Sequence, residues 1–215
     1  MKHKYWFIGL LVVAAALAAS ALLYSKLPAQ VPIHWNAAGE IDGYGSRLMG
    51  AFLMPAIMLL ILGITRALPW LSPRRFELDT FGETYEFIML LTVVFLGYVH
   101  AIILRAAFNS SMDTGKAAVA GIFLLFALIG NVMGKVRKNF WVGIRVPWTL
   151  ASDQVWNATH RFAGKLFFGV GAIGFIVALF GVPFYVPIAA LGVSALLPIV
   201  YSLALYKKLE KQGKI

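Results

Sequence analysis

Apolar runs of about twenty residues recur along this chain, at 5–24, 48–68, 84–104, 117–133, in the second half of 153–180, and at 184–206. The 117–133 run is the shortest of them. A run of this length crosses the hydrocarbon core of a bilayer, roughly 30 Å thick, as a helix. Only 13% of the residues are charged and 60% are hydrophobic, which is about half the charge of a soluble domain. A soluble fold of 215 residues has no interior large enough to hide so much apolar surface. Lipid has no water to satisfy backbone groups, so spanning segments are helices or closed barrels. Barrel strands alternate over about ten residues, and these runs are too long and too evenly apolar for that. The expected fold is therefore an all-α integral membrane protein with six transmembrane helices.

Three sections follow from this division. Residues 1–68 hold the first two spans with a polar loop at 26–47, and residues 69–134 hold spans three and four. Residues 135–215 hold a large polar loop at 135–165, spans five and six, and a basic tail. The first run begins with aromatics and has full spanning length, which favours a retained helix although its AAALAASA stretch resembles a signal-peptidase site. Its small residues recur at four-residue spacing, as in Ala14 with Ala18 and Ala16 with Ser20, and allow another helix to approach closely. Pro55, Pro187 and Pro198 lie inside spans, where proline removes a donor and kinks a helix. Gly181–Val182–Pro183 reads as a tight turn between spans five and six. A weak parallel between the halves, each with a long loop rich in Gly, Pro and Trp after its first span, suggests a 3+3 inverted repeat.

Charge sets the orientation. Lys2 and Lys4, then Arg66, Arg74 and Arg75, the six cations from Lys135 to Lys165, and the four from Lys207 to Lys214 fall on one side of a six-span chain. Lys26, Arg47, Arg105 and Lys116 fall on the other. Fifteen cations against four place both termini in the cytoplasm. The 26–47 loop then faces out and the 135–165 loop faces in. The net charge of +10 is orientation charge beside anionic headgroups, and no soluble basic domain offers a nucleic-acid surface. With no Cys, there is no disulfide, thiolate nucleophile or Cys-based metal site.

The longest polar interruption, 131–168, carries six of the nineteen Lys and Arg residues, three of the six Trp and one of the four His. Pro147, Trp148 and Thr149 mark a rigid turn there, and Ser152 or Asp153 can cap a helix that starts on the surface and runs into the fifth span. This segment makes the expected inner loop one with a short interfacial helix. Asp153, Trp156 and His160 share one face of it. Asp153 and His160 are two turns apart, about 10.5 Å, too far for contact; the expectation is a capping Asp and a His that bonds into a neighbouring loop. Arg145 and Arg161 suit a phosphate or carboxylate, or snorkel to the interface. In the outer loop, Asp42-Gly43 is a turn signal. His34, Glu40 and Asp42 would bind Zn only if the loop folded back to converge them, and that is left open. Otherwise the loop is pinned by hydrogen bonds, with Trp35 and Tyr44 in the headgroup layer. Glu86 and His100 are intramembrane ionisable residues about 21 Å apart along one helix, so they belong to opposite interfaces. Asn131, beside Gly130 and Gly134, reads as helix–helix glue. Nothing in the sequence calls for a cofactor, a catalytic residue or a resident metal.

Two stretches resemble a known family. LPAQVPIHWNAAGEIDGYGSR matches an outward-loop signature of the form LPxxxPxHWNxxGxxDGxGS, and KNFWVGIRVPWTLASDQVWNATHRFAGKLF matches a second signature with GIR, PWTL, THR and GK elements. In order and in spacing they are similar to the SdpI family. The resemblance implies a multi-pass cell-membrane protein that protects its host from a secreted, membrane-active peptide toxin. For the family's best-known member the toxin is the sporulation-delaying protein of bacilli, and a small cytoplasmic repressor is held at the membrane when toxin is present. The partners so implied are the lipid bilayer, a peptide toxin and a cytoplasmic regulator, with no nucleic acid and with a homo-oligomer left open. Carried over by position, the motif residues outside are Pro32, His34, Trp35, Asn36, Gly39, Asp42 and Gly43. Inside they are Asn139, Gly143, Arg145, Pro147, Trp148, Thr149, Trp156, Thr159, His160, Arg161, Gly164 and Lys165. Two other classes stay in play: a transporter or flippase, which needs a polar cavity at mid-membrane, and a membrane enzyme acting on lipid or peptide. The enzyme needs His160, Arg145 and Arg161 to converge with Asp153 or Asn139.

Overall fold

A computed structural model describes residues 3–36, 39–73, 78–109, 113–180 and 185–215. Lys2, Arg74 and Arg75 of the charge count, and the Gly181–Val182–Pro183 turn, lie outside the described residues. Among the described residues six helices are long and apolar enough to cross a membrane: α1 (Lys4–Leu23), α2 (Arg47–Leu71), α3 (Gly82–Phe108), α4 (Thr114–Met133), α6 (Asp153–Leu179) and α7 (Tyr185–Lys211). A five-residue helix, α5 (Pro147–Ala151), stands in the loop before α6. The loop between α1 and α2 is an antiparallel hairpin of β1 (Gln30–Trp35) and β2 (Ile41–Ser46). The molecule is a multi-pass membrane protein. An even number of crossings puts its two ends on one face, together with the 135–152 loop, and puts the hairpin on the other.

The first three spans pack on one another. The buried stripe of α1 is Gly9, Val13, Ala16 and Ser20, spaced for one helix face. Val13 and Ala16 join Met58, Leu62 and Val93 in a common core. Only the Ala16–Ser20 row of the small residues anticipated in α1 faces inward. Ser20 is the polar rivet of this group. Its hydroxyl donates to the carbonyl of Ala51 on α2 and accepts from Nε2 of His100 on α3, 2.9 Å away. Glu86 is bonded 83 residues away instead, its Oε1 2.8 Å from Nδ1 of His3. The two intramembrane ionisable groups therefore serve separate contacts at opposite ends of α3. Helix α2 runs unbroken through Pro55, and Pro187 falls in the first turn of α7, where a missing N–H costs little.

Helices α4 and α6 touch backbone to backbone. A Cβ on Gly130 would lie 2.4 Å from the amide nitrogen of Phe168, and one on Gly171 would lie 2.4 Å from that of Ala127. Gly164 faces the Gly130 carbonyl at 2.9 Å in the same sense. Small residues at such a crossing let helices gain dispersion contacts in a solvent where the hydrophobic effect does not drive association. The glycines do this work; Asn131, expected as glue, is exposed on the outer edge of the crossing. Replacing Gly130 with Ala must push the helices apart, because backbone atoms have no rotamer to yield. We expect a loss of about 2 kcal/mol, seen as a lower melting temperature in detergent, whereas Gly169→Ala, with open space around it, should leave the melt unchanged. The inverted-repeat parallel finds little support in this packing: α1 packs on both α2 and α3, while α7 leans mainly on α6.

Candidate functional site

The loop 134–152 is built around three buried residues. Asn139 is fully buried and replaces a missing secondary structure with four bonds. Its Oδ1 accepts from the backbone amides of Trp141 and Val142, both at 2.7 Å. Its Nδ2 donates to the carbonyls of Arg137 and Val142, at 2.8 and 2.9 Å. A tight reversal results, and it carries Gly143 into a positive φ of 110°. Glycine is required there twice over. An L side chain is strained at that φ, and a Cβ would stand 2.3 Å from Nε2 of His160.

His160 is the second centre. Its Nε2 accepts from the amide of Ile144 at 3.0 Å, and its Nδ1 donates to the carbonyl of Trp156 at 2.8 Å. An amide only donates and a carbonyl only accepts, so the ring is neutral with its proton on Nδ1. Trp156 stacks on it with ring centres 4.0 Å apart, and the Trp156 indole donates to the carbonyl of Val136 at 2.8 Å. Both side chains are fully buried. Around them lies a core shared by Leu78, Phe81, Tyr85, Val136, Ala163 and Phe167, so the loop is welded to α3, α4 and α6.

Thr149 is the third centre. Its hydroxyl accepts from the Val146 amide at 3.0 Å and donates toward the Ile144 carbonyl at 2.8 Å. With Pro147 in the first turn this starts α5, where a rigid turn was expected. The indole of Trp148 donates to Ser202 of α7, and that of Trp141 donates to Ser72 after α2, at 2.7 Å. Together these bonds tie the loop to α6, to α7 and to the end of α2. Ser152 then caps α6 through the Val155 amide at 3.4 Å. Asp153 does not cap; it pairs with Lys138 at 2.5 Å. The segment from Asp153 is no surface helix, since Trp156, Thr159 and His160 are fully buried within the first two turns of α6. Replacing Trp148 with Phe keeps an aromatic ring but removes the bond to Ser202 and part of the indole's packing. We expect a loss of about 1 kcal/mol, measured as a small drop in melting temperature with unchanged membrane abundance.

The motif cations sit apart from this network. Arg145 is exposed and donates to the Phe140 carbonyl. Arg161 and Lys165 are exposed on α6, beside Asn131 of α4 and Gly134 just past its end. His160, Arg145, Arg161, Asp153 and Asn139 thus share a loop and a helix end, with His160 and Asn139 buried and the other three exposed.

The hairpin holds the outer motif. Its tip is Asn36–Glu40, not Asp42-Gly43. The Asn36 amide donates to the Glu40 carbonyl at 2.9 Å, the Asn36 side chain bonds the Glu40 amide at 3.0 Å, and Gly39 has φ 82°. Gly43 lies inside β2 opposite His34, where a Cβ would come within 2.8 Å of the His34 Cβ. That leaves room for His34 Nδ1 to reach Asp42 Oδ1 at 2.5 Å. Glu40 turns away to Asn36 Nδ2 at 3.1 Å. Among the described residues no three His, Asp or Glu side chains gather as metal ligands. Pro32 is buried, Val31 presses into the notch left by Gly50, and Trp35 packs against the core cluster that contains Leu27, Val31 and Ile103. Tyr44 is exposed. The tip reaches across to α4, where Gly39 and Gly115 meet backbone to backbone.

Sequence reasoning missed the partners of these residues: Ser202, Ser72, Lys138, and the backbone of Val136 and Ile144. Nothing in the one-dimensional pattern joins Trp148 to Ser202 across 54 positions.

Comparison with known proteins follows the same two structured ends. A model of the SdpI/YfhL protein family matches residues 135–202, which hold the inner loop, α5, α6 and most of α7. A second, for the family described as Domain of unknown function (DUF1648), matches residues 11–59, which hold most of α1, the hairpin and the first half of α2. Among curated proteins, the immunity protein SdpI of Bacillus subtilis (strain 168) is 27% identical over 172 residues, covering 80% of this chain and 79% of that protein. No solved structure matches the chain.

Proposed function

We propose that this six-helix membrane protein, similar to the SdpI/YfhL protein family over residues 135–202 and to a curated immunity protein over 80% of its length, protects its cell against a secreted, membrane-active peptide toxin. The observation that carries the reading is its relation, across four fifths of its length, to a protein named for immunity. In this reading both termini are cytoplasmic, as the distribution of Lys and Arg supports. The hairpin and α1 meet the toxin from outside. The inner loop, bonded through Trp148, Trp141 and His160 to α7, α2 and α6, responds to their movement and presents Arg145 and its aromatic neighbours to a cytoplasmic regulator.

Neither alternative class gains from the geometry. A transporter uses a polar chamber at mid-membrane. The cavity of about 590 Å³ between α3, α4 and α6 is lined mostly by Leu, Val, Ala and Phe. An enzyme would gather His160 with the two arginines, but both ring nitrogens of His160 are already committed and its ring is buried.

The test is survival. Cells sensitive to the sporulation-delaying peptide and expressing this chain are expected to outlive an empty-vector control. His34→Ala, which removes only an exposed pair, is expected to reach normal membrane abundance yet weaken protection. Abundant wild-type protein that gives no protection contradicts the proposal.

A further inference from the structure

A cleft of about 320 Å³ opens between α4 and α6 at the end of the bundle that carries the inner loop. Its floor is Gly130 of α4, Gly134 just past the end of α4, and Gly164 of α6, and its walls are Asn131, Arg161, Lys165 and Phe168. The α6 residues 161, 165 and 168 are all exposed and follow the i, i+4, i+7 spacing of one helix face. A Cβ on Gly134 would lie 3.6 Å from Cγ of Arg161, so the absent side chain is what keeps the cleft open beside the arginine stem. Neither Arg161 nor Lys165 has an acidic partner among the described residues.

Two cations without an acidic partner among the described residues, and an amide donor, around a glycine floor suit a phosphate, which takes forked hydrogen bonds from Arg and a point charge from Lys. The position adds a second requirement. Phe168 lies seven residues beyond Arg161, about 10.5 Å further along the helix, and is exposed toward the apolar part of the span. The site is therefore polar at the membrane surface and aromatic below it, as an amphiphile is. We propose that this cleft binds an anionic phospholipid of the adjoining leaflet, with its phosphate held by Arg161, Lys165 and Asn131 and its acyl chain laid across Phe168. Simple snorkelling of the two cations would need no cleft, and free phosphate would need no Phe168.

Native mass spectrometry of the full chain in neutral detergent separates these cases, with phosphatidylglycerol, phosphatidylcholine and inorganic phosphate as probes. Wild type is expected to retain phosphatidylglycerol in preference to phosphatidylcholine, and the Arg161→Ala/Lys165→Ala variant to bind it about tenfold more weakly. Lys208→Ala/Lys211→Ala removes the same charge from the tail and should bind as wild type does. Gly134→Leu keeps both cations but fills the cleft; φ is −65° there, so the backbone accepts a side chain. It too should weaken binding about tenfold, and it stands in for the charge variant should that fail to fold. Equal binding by wild type and Gly134→Leu, or equal losses in the two double-Ala variants, would overturn the proposal. So would inorganic phosphate displacing the lipid at comparable concentration, which would assign the cleft to a free anion.

Discussion

Replacing Gly143 with Ala is expected to unfold the inner loop and remove most of the protein from the membrane. The methyl group has nowhere to go. At φ 110° it is strained, and it points at the imidazole nitrogen 2.3 Å away. Strain of this kind costs about 1–2 kcal/mol. Moving the ring aside breaks the Ile144–His160 bond and leaves a backbone N–H unpaired among apolar neighbours, a further cost of about 1–3 kcal/mol. The sum, about 3 kcal/mol, is a large share of what holds a domain together. Melting temperature in detergent and abundance in the membrane both report it. A Gly143→Ala protein that melts as wild type does would mean that the His160 contact is not a structural lock.

The second large effect belongs to Asn139. Asn139→Ala removes one side chain and orphans four backbone groups, two amides and two carbonyls. Water reaches the loop rim, so the full desolvation cost of each is not realised. At about 1 kcal/mol per lost bond the expected loss is roughly 3–4 kcal/mol. Asn139→Asp keeps both acceptor contacts but sets a buried carboxylate oxygen against the carbonyls of Arg137 and Val142, so it should lose at least as much as Ala. Comparing the three melts distinguishes the bond network from a simple packing effect, since Asp and Asn have nearly the same volume.

Much of this architecture was legible in the sequence because lipid imposes one strong rule. Runs of apolar residues must be helices, and six of them appear where six were expected. Boundaries were blurred where a span continues into the polar layer, as in α6, which begins at Asp153 and buries Trp156 before any lipid is reached. The outer loop was read as ordered, but its turn was placed on Asp42-Gly43. That pair has the right chemistry for a turn, yet Gly43 is small because His34 stands across the ladder from it. The inner motif could be picked out as a candidate, with His160 expected to bond into a neighbouring loop, and it does so through Ile144. What could not be read was which motif residues build and which are presented. Asn139, Gly143, Thr149, Trp156 and His160 are spent on internal bonds and packing. Arg145, Arg161 and Lys165 point away. Spacing along the chain gives both groups the same appearance.

The account stands on the hairpin and the inner loop facing opposite sides of the membrane, with the hairpin outside. The absence of Cys makes this directly measurable. Tyr44→Cys places a thiol on the exposed face of the hairpin, and Gln212→Cys places one just past the end of α7. A membrane-impermeant maleimide added to intact cells is expected to label Tyr44→Cys, and to label Gln212→Cys only after permeabilisation. Labelling of Gln212→Cys in intact cells, with Tyr44→Cys protected, would invert the molecule. The proposed route from an external toxin through the hairpin to a cytoplasmic regulator would then be contradicted.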